Sequence, residues 1–207
     1  MMKILSHRGY WKEASEKNSV TAFLRSFNLN FGTETDLRDQ NGEIVISHDI
    51  PENDSLLFKD FLKALNDKPL TLALNVKADG LAKELKKILQ GYPELNYFVF
   101  DMSIPDMKSY LDLGISVFTR VSDVEQIPIW LEYSDGIWLD AFSHDWYDIE
   151  VIHKLLATGK QVCVVSPELH KRDYNEVWNM LYPLRTCAAL MLCTDFPEDA
   201  HSFFFGE

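Results

Sequence analysis

The sequence predicts an α/β fold of eight strand–helix units, closed as a TIM-type (β/α)8 barrel or opened as a doubly wound sheet. Two observations carry this. Short apolar, β-like runs alternate with amphipathic helical patterns from one end of the chain to the other. Groups able to do chemistry follow those runs instead of scattering over helices, as they do where a site is built at the carboxyl ends of parallel strands. With 207 residues, 46% of them hydrophobic and 13% aromatic, the chain is expected to bury one core as a single domain, 1–207. No linker, repeat or low-complexity tract divides it.

The elements follow in order. Lys3–Ser6 is the first expected strand. Ser19 is the expected N-cap of a helix whose apolar face is Val20, Phe23, Leu24, Phe27 and Phe31, with Gly32 as its stop. Thr33–Leu37 is the second strand, joined through the Asn41-Gly42 turn to an extra strand, Glu43–Ser47. Pro51–Ser55 is a loop. Leu70–Val76 alternates: Leu72, Leu74 and Val76 form an apolar face for helices, whereas Ala73, Asn75 and Lys77 point inward. Leu81, Leu85, Ile88 and Leu89 mark a helix, as do Ile149, Ile152, Leu155 and Leu156. The remaining strands are Tyr97–Phe100, Ser116–Arg120, Gly136–Leu139, Gln161–Val165 and Ala189–Cys193.

Composition removes several classes of function. A net charge of −12 opposes nonspecific nucleic-acid binding, which depends on Lys and Arg neutralising phosphates. A phosphorylated small molecule remains compatible, because salt screens the overall field within roughly 8 Å. No apolar stretch reaches the length of a membrane span, and the apolar segment after Met1-Met2-Lys3 is too short for a secretory signal, so a cytoplasmic protein is expected. Cys163, Cys187 and Cys193 form no CxxC pair, and two of them lie in apolar runs, which reads as buried free thiols. No pattern sets an oligomeric state.

The chemistry-bearing residues concentrate near the start. His7-Arg8-Gly9 follows the first apolar run and His48-Asp49 follows Ile44-Val45-Ile46. Glu34 and Asp36, two apart on a strand, leave the same face; held together there they repel unless a cation lies between them. Oxygen ligands without thiolates favour Mg²⁺ or Ca²⁺ over zinc. Arg8 suits a phosphate oxygen. His7 and His48 suit proton transfer, since an imidazole titrates near neutral pH.

In order and spacing, His7-Arg8-Gly9, Asn18-Ser19, Glu34-x-Asp36, Asn41-Gly42 and His48-Asp49 resemble the opening of the glycerophosphodiester phosphodiesterase family. Cys193-Thr194-Asp195-Phe196-Pro197 resembles its closing motif. The resemblance implies a barrel and a metal-dependent hydrolase acting on a small phosphodiester with a glycerol, sugar or polyol part. It puts His7 and His48 beside the scissile phosphate, Glu34 and Asp36 on one divalent cation, and Arg8 and Lys77 on the phosphate. Two positions depart from the family: Asn75 stands where a third acidic ligand is usual, and Lys17 stands where an acidic residue precedes Asn18. The stretch from His48 to Asn75 has room for one helix and lacks the family's usual insertion. Asp101, Trp138, Asp140, Glu168, His170 and Asp195 end later strands; of these, Trp138 and Glu168 are expected to meet the organic part of the substrate. The departures also admit a second reading, a weakly active or inactive barrel that binds a phosphorylated sugar or polyol.

Overall fold

The computed structural model describes residues 1–52 and 54–206. Along the chain the elements are β1 (Lys3–His7), α1 (Val20–Asn28), β2 (Gly32–Gln40), β3 (Glu43–Ile46), β4 (Leu56–Leu57), α2 (Phe58–Leu65), β5 (Thr71–Val76) and α3 (Ala82–Leu89). They continue with β6 (Asn96–Phe100), α4 (Ile104–Asp112), β7 (Phe118–Val121), β8 (Gly136–Leu139), α5 (Ile149–Leu156), β9 (Gln161–Val165), α6 (Asn175–Leu181), β10 (Leu190–Thr194) and α7 (Pro197–Phe205).

Strand pairing decides between the two predicted architectures. β1 pairs in parallel with both β2 and β10, and parallel pairing continues from β2 to β5 to β6 and from β7 through β8 and β9 to β10. A single parallel bridge, Val99 to Val117, joins β6 to β7, where Val99 N–H donates to the Ser116 carbonyl at 2.8 Å. The eight strands therefore form a ring, which excludes the doubly wound sheet. β3 and β4 are an antiparallel excursion from β2.

The alternation on β5 explains the layering. Leu72, Leu74 and Val76 pack outward with Phe58, Phe61, Leu62 and Leu85 of the covering helices. Ala73 points inward, to a filled interior containing Leu5, Phe98, Phe100, Phe118, Trp138, Cys163, Met191 and Cys193. Phe98 stacks on Phe118 with ring centres 3.7 Å apart, and Phe100 on Trp138 at 3.8 Å. The aromatic plug makes the barrel a packed core, open only at its rim. Cys163 and Cys193 are buried free thiols. Among the described residues no helix is long and apolar enough to cross a membrane.

Several local readings change. Ser19 caps α1, accepting from Ala22 N–H at 3.3 Å, but the buried face is Ala22, Phe23, Ser26 and Phe27, while Val20 and Leu24 are exposed. The buried stripe is narrower than the predicted one, and Phe31 lies beyond the helix, packing with Met2 and Ile4. Gly32 is not the helix stop. The chain reverses at Asn30, with φ +61°, and Gly32 begins β2. β2 also runs past Leu37 to Gln40, because its far half pairs with β3. Within the loop expected at 51–55, Asn53 lies outside the described residues.

At Gly32 a methyl group would lie 2.4 Å from Leu5 Cδ2 and 2.6 Å from the Thr71 carbonyl oxygen. Gly32→Ala is therefore expected to destabilise the fold by about 1–3 kcal/mol through overpacking at β1, β2 and β5. Urea unfolding should show a lower midpoint at unchanged slope; an unchanged midpoint would contradict this packing.

Candidate active site

The site begins with a sharp turn after β1. Arg8 and Gly9 both have left-handed backbone, φ +57° and +79°, and a side chain on Gly9 would lie 2.8 Å from Ala22 Cβ. Arg8 N–H is held by the Glu34 carbonyl at 3.0 Å and by Glu34 Oε2 at 3.2 Å. Beneath the turn is a buried hydroxyl cluster. Ser6 Oγ lies 2.7 Å from Ser26 Oγ and 2.9 Å from Thr33 Oγ1, and Gly9 N–H donates to Thr33 Oγ1 at 3.1 Å. These bonds tie β1, α1 and β2 together and fix where His7 and Arg8 leave the strand.

His7 Nδ1 is 2.7 Å from Asp195 Oδ1, at the end of β10, and His7 Nε2 is 3.9 Å from Glu34 Oε2. An Nδ1–H donated to the carboxylate leaves the Nε2 lone pair facing the mouth of the barrel. Burial pushes the His7 pKa down, against the opposing pull of Asp195, which favours the neutral ring.

Glu34 and Asp36 point into the mouth and are almost wholly buried. The Glu34 pKa is pushed up to about 8, first by burial and then by the neighbouring Asp36 charge, with Arg8 and Lys77 opposing. Asp36 is crowded by donors: Asn18 Nδ2 donates to Oδ2 at 2.8 Å, Arg8 Nε lies 3.0 Å from the same oxygen, and Lys77 Nζ lies 3.5 Å from Oδ1. Arg8 Nε, Asp36 Oδ1 and Asn75 Oδ1 are buried with no hydrogen-bond partner. Asn75 stands beside Asp36 in the β2–β5 register.

Orphaned buried oxygens beside a charged pair fit a hard cation. Glu34, Asp36 and Asn75 are the residues suited to hold one. Among the described residues no three or more His, Cys, Asp or Glu side chains cluster at metal-binding spacing.

His48 follows β3 and is half-exposed, its Nδ1 3.0 Å from Asp49 Oδ1. It lines an open cleft of about 630 Å³ with Arg8, Lys17, Asn18, Ser19 and Ser47. Lys17 Nζ rests 4.4 Å from the centre of the Trp11 ring. Glu16 turns away to Arg25, at 2.9 Å, and takes no place in the site. Further around the rim, Asp101 pairs with Arg120 at 2.9 Å and Asp140 with His170 at 2.7 Å.

Two expected substrate contacts are corrected. Trp138 is only 4% exposed and belongs to the aromatic plug. The Glu168 carboxylate is spent internally: it accepts from the Ser166 hydroxyl, from Thr194 Oγ1 at 2.5 Å and from Asp195 N–H at 3.0 Å. Glu168 thus secures the residue that orients His7. Two roles were missed from the sequence: Asp195 as the partner of His7, and Asn18 as a donor to Asp36 whose own Oδ1 accepts from Thr35 Oγ1 at 2.9 Å. Both residues lie in the quoted motifs, so the motifs carried the signal without the pairing.

A closed (β/α)8 barrel with its polar groups at the carboxyl ends of the strands is thus the class of protein that fold and site define. No protein-family profile and no curated protein matches the chain. Solved structures do. A phosphodiesterase from Oleispira antarctica, in complex with the product sn-glycerol-3-phosphate, is 15% identical with a TM-score of 0.72, covering 97% of this chain and 96% of that one. A glycerophosphodiester phosphodiesterase from Agrobacterium tumefaciens is 13% identical, TM-score 0.73, over 100% of both chains. A Ca²⁺-dependent phosphatidylinositol-specific phospholipase C from Streptomyces antibioticus is 10% identical, TM-score 0.57, over 98% of this chain and 95% of that one. The chain shares their fold along almost its whole length.

Glu34 also makes an unusual pH signature. Its folded-state pKa, about 8, exceeds the ordinary 4.5, so the folded protein holds this proton longer than the unfolded chain does. Its contribution to stability is complete below about pH 4.5 and is lost as pH rises toward 8. With a chelator present, the melting-temperature difference between wild type and Glu34→Gln should shift against wild type across that window. A difference independent of pH would refute the raised pKa.

Proposed function

We propose that this chain is a phosphoric diester hydrolase acting on a small, soluble phosphodiester with a glycerol, sugar or polyol part, assisted by one divalent cation, Mg²⁺ or Ca²⁺. One observation carries the reading: at the barrel mouth an oriented imidazole, His7, meets two cationic side chains and three buried oxygen ligands, two of which have unpartnered atoms. The resemblance of the His7, Glu34 and His48 motifs to glycerophosphodiester phosphodiesterases supports it. So does the shared fold with enzymes described as acting on such diesters, one of them with sn-glycerol-3-phosphate as product.

Glu34, Asp36 and Asn75 would hold the cation, which would supply Lewis-acid polarisation of the phosphoryl oxygens. The chain's own residues do the rest. Arg8 and Lys77 hold the non-bridging oxygens and offset the charge that grows on them in the transition state. His7 Nε2 takes a proton from the attacking water, or from a neighbouring substrate hydroxyl, as the new P–O bond forms. Asp195 steadies the resulting imidazolium. His48, on the cleft wall, gives its proton to the leaving alkoxide as the old P–O bond breaks. With water as the attacker the products are a phosphomonoester and an alcohol, and proton exchange with solvent restores both rings.

The second reading, a barrel that binds a phosphorylated sugar or polyol with little turnover, draws on the same site: Asn75 brings no charge, and Arg8 and Lys77 already crowd Asp36. Hydrolysis of a chromogenic bis-aryl phosphate separates the two. His7→Ala and His48→Ala are each expected to lower kcat by roughly 10²- to 10⁴-fold, and Asp36→Ala and chelation should each abolish cation-stimulated turnover. Hydrolysis that survives all four would end the proposed mechanism; ligand binding without hydrolysis would favour the second reading.

Asn75→Glu adds a third carboxylate and is expected to tighten Mg²⁺ affinity. Calorimetric titration reads this directly, and unchanged or looser affinity would remove Asn75 from the ligand set.

A further inference from the structure

The Asp36 charge is already met by protein groups before any ligand arrives. Arg8 and Lys77 both pair with Asp36, which has no solvent exposure and is contacted by protein donors at both oxygens. Its two sides differ. Oδ2 accepts a hydrogen bond from Asn18 Nδ2 at 2.8 Å and is ion-paired with Arg8 Nε at 3.0 Å. Oδ1 has only Lys77 Nζ at 3.5 Å, too long for a hydrogen bond, and stays unpartnered. Asn75 Oδ1 is unpartnered as well, on the neighbouring strand. Lys77 is the movable member: its ammonium ends a flexible four-carbon stem, its side chain is 22% exposed, and its charge also acts on Asp101 at the end of the neighbouring strand.

We propose that Lys77 acts as an exchangeable counter-ion, so that a phosphoryl group and a divalent cation enter this site cooperatively. The phosphoryl oxygens draw the ammonium away from Asp36 Oδ1, and the oxygen so released joins Glu34 and Asn75 around the cation. Either ligand alone meets resistance. A cation arriving first must approach a carboxylate that Lys77 still neutralises. A phosphate arriving first must take Lys77 from a buried carboxylate, leaving that charge uncompensated on its Oδ1 side. Bound together, each removes the other's penalty. This inference rests on the cation-assisted reading given above and adds how the two ligands depend on each other.

The test is calorimetric titration of Mg²⁺ into the whole protein, with and without saturating inorganic phosphate, and the reciprocal titration of phosphate with and without Mg²⁺. Phosphate should tighten Mg²⁺ by about tenfold, within the usual range for coupled sites, and Mg²⁺ should tighten phosphate by the same factor. Association of Mg²⁺ with phosphate in solution lowers free Mg²⁺ and works against the expected result. Lys77→Gln, which frees Oδ1 permanently, should bind Mg²⁺ alone about tenfold more tightly than wild type.

Phosphate tightening Mg²⁺ while Lys77→Gln binds Mg²⁺ alone no better than wild type would place the coupling in direct ion–phosphate contact and overturn the role of Lys77. Mg²⁺ binding that ignores phosphate would overturn the cooperativity and leave the cation site standing. An absence of Mg²⁺ binding in every titration would remove the cation site and the inference with it. Should circular dichroism show Lys77→Gln unfolded, Lys77→Met takes its place in the same titration: about tenfold tighter Mg²⁺ alone is expected, and unchanged affinity would overturn the role of Lys77.

Discussion

Two carboxylates lie side by side on β2, out of water, at the mouth of a barrel. That is the constraint on which the rest of the site depends. Glu34 and Asp36 leave one strand face and enter a region where neither can be hydrated, so their charge has to be met by other protein groups, by protons or by a ligand. All three means are represented. Arg8, Asn18 and Lys77 crowd around Asp36, Glu34 holds its proton to an unusually high pH, and the free oxygens of Asp36 and Asn75 remain for a guest.

The scaffold makes that arrangement possible. Arg8 reaches Asp36 only because the chain turns left-handed after β1, and that turn is pinned by backbone bonds to Glu34 and by the Ser6–Ser26–Thr33 hydroxyls below it. On the opposite flank, Glu168 grips Thr194 and the Asp195 backbone, and Asp195 in turn fixes His7. The first and last barrel strands are adjacent, so residues nearly two hundred positions apart in the chain meet at one imidazole. Closure of the ring assembles the catalytic proposal; no single segment contains it.

Much of this was legible in sequence, for identifiable reasons. Strand positions followed from apolar runs, which buried parallel strands produce strongly. The inward set Ala73, Asn75 and Lys77 followed from two-residue alternation. Where the reading failed, the missing information was three-dimensional. The α1 stripe included Val20 and Leu24 because periodicity alone does not tell how wide a face the barrel covers. Gly32 looked like a helix stop because a glycine demanded by close packing against Thr71 is indistinguishable, in a string of letters, from one demanded by a turn. Trp138 and Glu168 were placed at strand ends correctly, yet nothing local reveals that one ring stacks on Phe100 and that one carboxylate is consumed by Ser166 and Thr194.

The join between β6 and β7 sets this barrel apart from an evenly stitched cylinder. One bridge, at Val99 and Val117, stands where neighbouring strand pairs share ladders of four or five residues. Stability within a fold is uneven, and segments with few cross-strand bonds open first. Across this join side chains stand in for the missing ladder: Phe98 of β6 stacks on Phe118 of β7 inside the barrel, and Arg120 of β7 pairs with Asp101 at the end of β6. Closure of the ring at this join therefore rests on side chains more than on backbone pairing.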